Sequence, residues 1–114
     1  MKYEDLLFFL QEIWEQSGIL KYLRINLNYR EKYDLEVLQQ IVIYGLNEKY
    51  FDLWEGDTKV NIKSKYTEII LDKKNWFDDP RMDLEIVFSD LEPWAQTLFD
   101  LQKVPNEFER FIKR

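Results

Sequence analysis

Residues 34–45 read DLEVLQQIVIYG, and the conformation of this stretch decides how many strands the chain has. Two templates fit it. With a period of 3.6, Asp34 caps a helix whose inner face is Leu35, Leu38, Ile41 and Val42, ended by Gly45. With a period of 2, the β-branched run Ile41-Val42-Ile43 belongs to a strand end. The preceding residues tip the balance toward the strand. In 19–29, ILKYLRINLNY, Leu23, Ile25, Leu27 and Tyr29 alternate with Arg24, Asn26 and Asn28, the pattern of a half-buried strand. Polar residues 30–33 then supply a turn. The sequence predicts a strand over 19–29 paired with one over 34–45, the helical template remaining open for the second.

On the N-terminal side, Tyr3, Leu6, Leu7, Leu10, Ile13 and Trp14 follow helical spacing, with Glu4, Asp5, Glu12 and Glu15 on the opposite face. Gly18 supplies the stop. Phe8 projects among Glu4, Glu12 and Glu15, so it either contacts a partner or is covered by another element of the domain. On the C-terminal side, Phe51 and Leu53 alternate with Asp52 and Trp54. Glu55-Gly56-Asp57 turns the chain, and Val60 and Ile62 alternate with Lys59, Asn61 and Lys63 as the second strand of a hairpin. The phase then flips near Ser64 to Thr67, Ile69 and Leu71, which requires a bulge or second turn around 63–65. Leu84, Ile86 and Phe88 form another strand.

Ser89-Asp90-Leu91-Glu92-Pro93 opens a helix with the stripe Leu91, Trp94, Ala95, Leu98 and Phe99. Pro105 ends it, and Phe108, Phe111 and Ile112 add a short terminal turn. The predicted fold is therefore α+β, one domain over residues 1–114. An N-terminal helix, an antiparallel sheet of about four to five strands, and a C-terminal helix with a short terminal helix pack on one face.

Composition narrows the chemistry. Of 114 residues, 46% are hydrophobic and 17% aromatic, enough apolar material for a core. There is no Cys, which removes disulfides and thiolate chemistry and suits a reducing, cytoplasmic setting. There is no His, which removes the usual base near neutral pH and the commonest metal ligand. No apolar run has the length of a membrane span. The net charge of −6 disfavours nucleic acid as the principal partner and suits a basic protein surface. The same charge also serves solubility alone.

Acids are the one plentiful catalytic type, and they fail the patterns they would need. A Pro-Asp, acid-x-Lys nuclease site finds Asp79-Pro80 in reversed order, and Glu85 followed by Ile86 and Val87 with no Lys. No EF-hand loop or glycine-rich phosphate loop is present. Ser17, Ser64 and Ser89 have no His partner. Lys59, Lys63 and Lys65 beside Tyr66 could touch phosphates, but strand lysines more often guard a sheet edge. The expectation is a protein that is not an enzyme and holds no cofactor and no metal.

Residues 73–83, KKNWFDDPRMD, are the candidate contact loop. Pro80 interrupts strand pairing, and Trp and Arg are enriched at the energetic centres of interfaces. Asp78, Asp79, Arg81 and Asp83 are the first choice of partner contacts, with Trp76 and Phe8 as possible anchors. The competing reading folds Trp76 and Phe77 inward to close the core.

No diagnostic motif accompanies these features. As a small, acidic, aromatic-rich domain without Cys or His, the chain is similar in profile to bacterial immunity proteins that neutralise nuclease toxins, and to phage-encoded inhibitors of bacterial defence systems. That resemblance implies an anti-defence or immunity inhibitor that occludes a basic surface of a partner protein such as a nuclease toxin. The alternatives are a self-associating subunit of a homo-oligomer and a small-ligand-binding domain.

Overall fold

The computed structural model describes residues 1–15, 18–77 and 84–113. Three helices come first: α1 (Tyr3–Glu15), α2 (Leu20–Asn28) and α3 (Leu35–Asn47). Then follow β1 (Phe51–Glu55), β2 (Thr58–Lys59), α4 (Lys63–Leu71), α5 (Lys74–Phe77), β3 (Leu84–Phe88) and α6 (Glu92–Ala95). A π-helical turn over Gln96–Asp100 extends α6, and a 3₁₀ segment spans Asn106–Phe111. The class is α+β, as expected. The sheet among the described residues has three antiparallel strands in the order β2-β1-β3, fewer than the four to five expected.

The expected strands that are missing are helices, and the reason is the same each time. In 19–29 the apolar residues satisfy both periods at once. The helical choice buries Leu20, Leu23 and Leu27 together and turns Tyr29 out, leaving it 85% exposed. Leu, Lys and Arg favour that choice locally. Ile19 alone keeps strand character, bridging Glu85 on β3. In 34–45 the helical template prevails, with Leu38, Ile41, Val42 and Leu46 in the core. Gly45 does not end α3; it makes room for the Phe51 ring, which an added Cβ would strike. The helix stops instead at Lys49, whose φ of 64° is the left-handed cap conformation. After Lys59 the chain leaves the sheet, and Tyr66, Ile69 and Ile70 face inward at helical spacing on α4. The phase flip near Ser64 was therefore a change of period, from 2 to 3.6.

Alternation holds on β1 and β3, but the second hairpin strand is shorter than expected: β2 stops at Lys59, Val60 and Ile62 lie outside it, and Ile62 is 60% exposed before α4. On β1 and β3, Phe51 pairs with Phe88, Leu53 with Ile86 and Glu55 with Leu84. The apolar members of these pairs face the core, while Asp52, Trp54, Glu85 and Val87 lie on the other face. Gly56, at φ 58°, takes the first central position of the two-residue turn into β2. Helix α6 starts later than the Ser89 or Asp90 cap that the sequence suggests: Leu91 is its N-cap and makes no side-chain cap, although Asp90 Oδ1 accepts the Glu92 N–H at 3.2 Å and Pro93 lies in the first turn.

Helices α1, α2 and α3 cover the inner face of β1 and β3. One end of that core is an aromatic cluster. Phe108, fully buried, stacks on Phe51 at 5.6 Å and meets Trp94 edge-on at 5.7 Å, while Phe51 meets Phe88 at 5.2 Å.

The start of α1 is tied to the α2–α3 connection by a buried carboxylate. Arg30 Nε donates to Asp5 Oδ1 at 3.0 Å, and the Tyr33 hydroxyl donates to Asp5 Oδ2 at 2.6 Å. Burial alone would push the Asp5 carboxyl up; the two hydrogen bonds and the Arg30 charge outweigh it and hold the group below its ordinary range. A depressed carboxyl stabilises the fold above the unfolded pKa of about 4, and that contribution is lost as pH falls through the folded value. Asp5→Asn is therefore expected to lower stability by about 1.5–3 kcal/mol at pH 7. Paired urea titrations should show the gap to wild type narrowing below about pH 4. A gap that stays constant with pH would rule out this linkage.

Candidate protein-binding surface

The end of the sheet where β1 finishes and β3 begins gathers negative charge. Glu55 closes β1, Asp57 sits in the hairpin turn, and Glu85 lies on β3 opposite Trp54. Trp54 also pairs with Lys59 on β2, so this half-exposed residue stands between Glu85 and Lys59 in the register of the outer face. Farther along that face, Lys59 Nζ is 3.5 Å from Asp52 Oδ1, and the Ser89 hydroxyl donates to the same oxygen at 2.9 Å. Of the lysines read as an edge guard, only Lys59 is on a strand; Lys63 and Lys65 open α4.

The predicted contacts separate. Asp78, Asp79, Arg81 and Asp83 lie outside the described residues. The two ends of their segment are firmly held. On one side Trp76 is fully buried, with Nε1 donating to the Ile70 carbonyl at 2.8 Å, and its own carbonyl accepts from Arg24 Nε at 2.9 Å. On the other, Leu84 is buried and paired with Glu55. Trp76 thus follows the inward-folding reading: its indole has no surface to present to a partner. Its neighbour Phe77 is 43% exposed, with the Arg24 guanidinium 3.9 Å above its ring. Phe8 is half-buried beneath Arg30, whose guanidinium lies 4.7 Å from the ring centre, so another part of the same chain covers it.

Sequence periodicity placed Trp14 in the core stripe of α1, but it is 57% exposed in the last turn of the helix. Its i, i+4 partner Leu10 is buried, and the helix ends one residue after Trp14, so the spacing carried no sign that the core had ended. On the neighbouring turn of α1, Glu12 Oε2 is buried without a hydrogen-bond partner. Burial pushes that carboxyl up, and a hydrogen bond with Asn26 offsets part of the shift.

Among the described residues, no three Asp or Glu side chains converge closely enough to hold a metal ion. No described helix is long and apolar enough to cross a membrane. Compared with protein families, curated proteins and solved structures, the chain matches none.

Proposed function

We propose that the chain is a non-catalytic binding protein that covers a basic surface of a protein partner with the acidic end of its sheet. The observation that carries this reading is that Glu55 and Asp57 at the end of the β1–β2 hairpin lie beside Leu84 and Glu85, the first residues of β3. Glu55 and Asp57 come from the β1–β2 hairpin and Glu85 from β3; the register sets Glu55 and Glu85 on opposite faces, so the three edge this end of the sheet. Three further aspartates lie in 78–83, between the anchored Trp76 and Leu84. Such a surface steers a cationic partner and rejects an anionic one. Trp54, flanked by these acids, supplies the aromatic contact that Trp76 does not.

An immunity protein against a nuclease toxin fits this reading, because a nuclease surface is built to hold phosphates, and so does an inhibitor of a bacterial defence system whose target handles nucleic acid. The test is capture of a partner with wild type, Asp57→Lys/Glu85→Lys and Asp78→Lys/Asp79→Lys. Each charge reversal is expected to weaken binding at least tenfold, about 1.4 kcal/mol. Raising salt from about 0.1 to 1 M, which shortens the screening length from about 10 to 3 Å, should weaken the wild-type complex. Equal, salt-independent recovery by all three proteins would remove this end of the molecule from the interface.

A further inference from the structure

We propose that the groove between α2, α3 and α5 binds a small oxyanion, the carboxylate or phosphate group of a low-molecular-weight ligand. The groove has a volume of about 550 Å³ on its α4 side and about 490 Å³ on its α2 side, the two parts meeting at Asp34 and Leu35. Each part is within the 300–1,000 Å³ of common ligand sites. The α2 part is the one built for an anion. Arg24, Asn28, Lys32, Tyr33 and Phe77 line it with Asp34 and Leu35.

Arg24 is held in place before any ligand arrives. Its Nε donates to the Trp76 carbonyl at 2.9 Å, and its guanidinium plane rests 3.9 Å from the Phe77 ring centre. Both contacts use the inner edge and one face of the group. The two terminal nitrogens have no acidic partner among the described residues, and they form the planar fork that matches a carboxylate or phosphate. Lys32 likewise has no ion-pair partner among the described residues, although the chain as a whole carries a surplus of acids.

The rest of the wall agrees with this assignment. The Asp34 side chain makes no capping hydrogen bond, which leaves the first amides of α3 available. Asp34 is the single acid in the lining, against two cations. The Tyr33 hydroxyl is committed to Asp5 and contributes its ring alone. Tyr33, Leu35 and Phe77 would hold the apolar or planar remainder of a ligand, while Arg24 and Lys32 take its charge.

The test uses the full chain labelled with ¹⁵N, titrated separately with sodium phosphate and sodium benzoate against sodium chloride at matched ionic strength. Saturable shifts of the Leu35 and Glu36 amides and of the Arg24 Nε signal are expected with at least one anion. Benzoate alone would identify a carboxylate on a planar body, phosphate alone a phosphate ligand, and both a general oxyanion site. Arg24→Lys keeps the charge but loses the fork and is expected to bind about tenfold more weakly. Lys32→Gln, at an exposed position that leaves the fold intact, should bind about threefold more weakly. Shifts that never saturate, shifts that chloride reproduces, or wild-type binding in both variants would overturn the proposal.

Discussion

Trp76→Ala is expected to remove about 3–5 kcal/mol of folding stability, the usual cost of deleting a large buried aromatic side chain. The indole has no exposed surface and is the largest of the fully buried side chains. It also carries a polar task. The last carbonyls of a helix have no partner within it, and α4 ends at Leu71 with the Ile70 carbonyl turned inward. That oxygen accepts from Trp76 Nε1 at 2.8 Å and from Gln39 Nε2 at 3.1 Å. Trp76→Phe keeps most of the volume and loses one hydrogen bond, while Gln39 still satisfies the oxygen, so about 1 kcal/mol is expected for that contribution. Urea unfolding of both variants separates packing from hydrogen bonding. A midpoint for Trp76→Ala equal to that of wild type would mean the indole is not in the core.

Gly18→Ala is expected to cost about 3 kcal/mol, the top of the usual range for overpacking. The Gly18 carbonyl accepts the Ile86 N–H at 2.9 Å, and the next residue bridges Glu85. A Cβ at position 18 would land on the Ile86 carbonyl oxygen. That atom belongs to the backbone of β3, which is fixed by pairing with β1, so it cannot yield as a flexible side chain would. The α1–α2 connection would have to lift from the strand edge. Thermal unfolding checks this directly: a melting temperature unchanged by the substitution would show that 18–19 does not approach β3 so closely. Sequence reading gave Gly18 only the role of helix stop, and the closer reason is a contact with a strand more than sixty residues away in the chain.

That long-range contact illustrates what could be read from sequence. Alternation over 51–55 and 84–88 was unambiguous, and those segments are β1 and β3 with the expected inward faces. The start of α6 was legible to within a residue or two from Asp90 and Pro93, although the N-cap itself is Leu91. The stretches 19–29 and 34–45 were not, because leucines spaced by three and four residues also leave an alternating subset. Short segments satisfy both templates, and tertiary burial chooses between them. Here the choice was made by the inner face of β1 and β3, which α1, α2 and α3 cover together. For the candidate surface, the sequence offered charge and residue type without direction. It could not show that Trp76 turns inward, that Arg30 shelters Phe8, or that register brings Glu85 opposite Trp54.

Between β1 and β3 the chain makes an excursion through β2, α4 and α5, and among its described residues only Ile70 and Trp76 are buried. They are tied together at the Ile70 carbonyl, which accepts from Gln39 and Trp76, and Arg24 holds the Trp76 carbonyl as well. Opening α4 and α5 while β1 and β3 stay paired would have to break these bonds and expose the Trp76 indole, yet it leaves most of the core in place and costs less than melting the whole molecule. Asp57 belongs to the same excursion, so a partner that grips it would also oppose that opening.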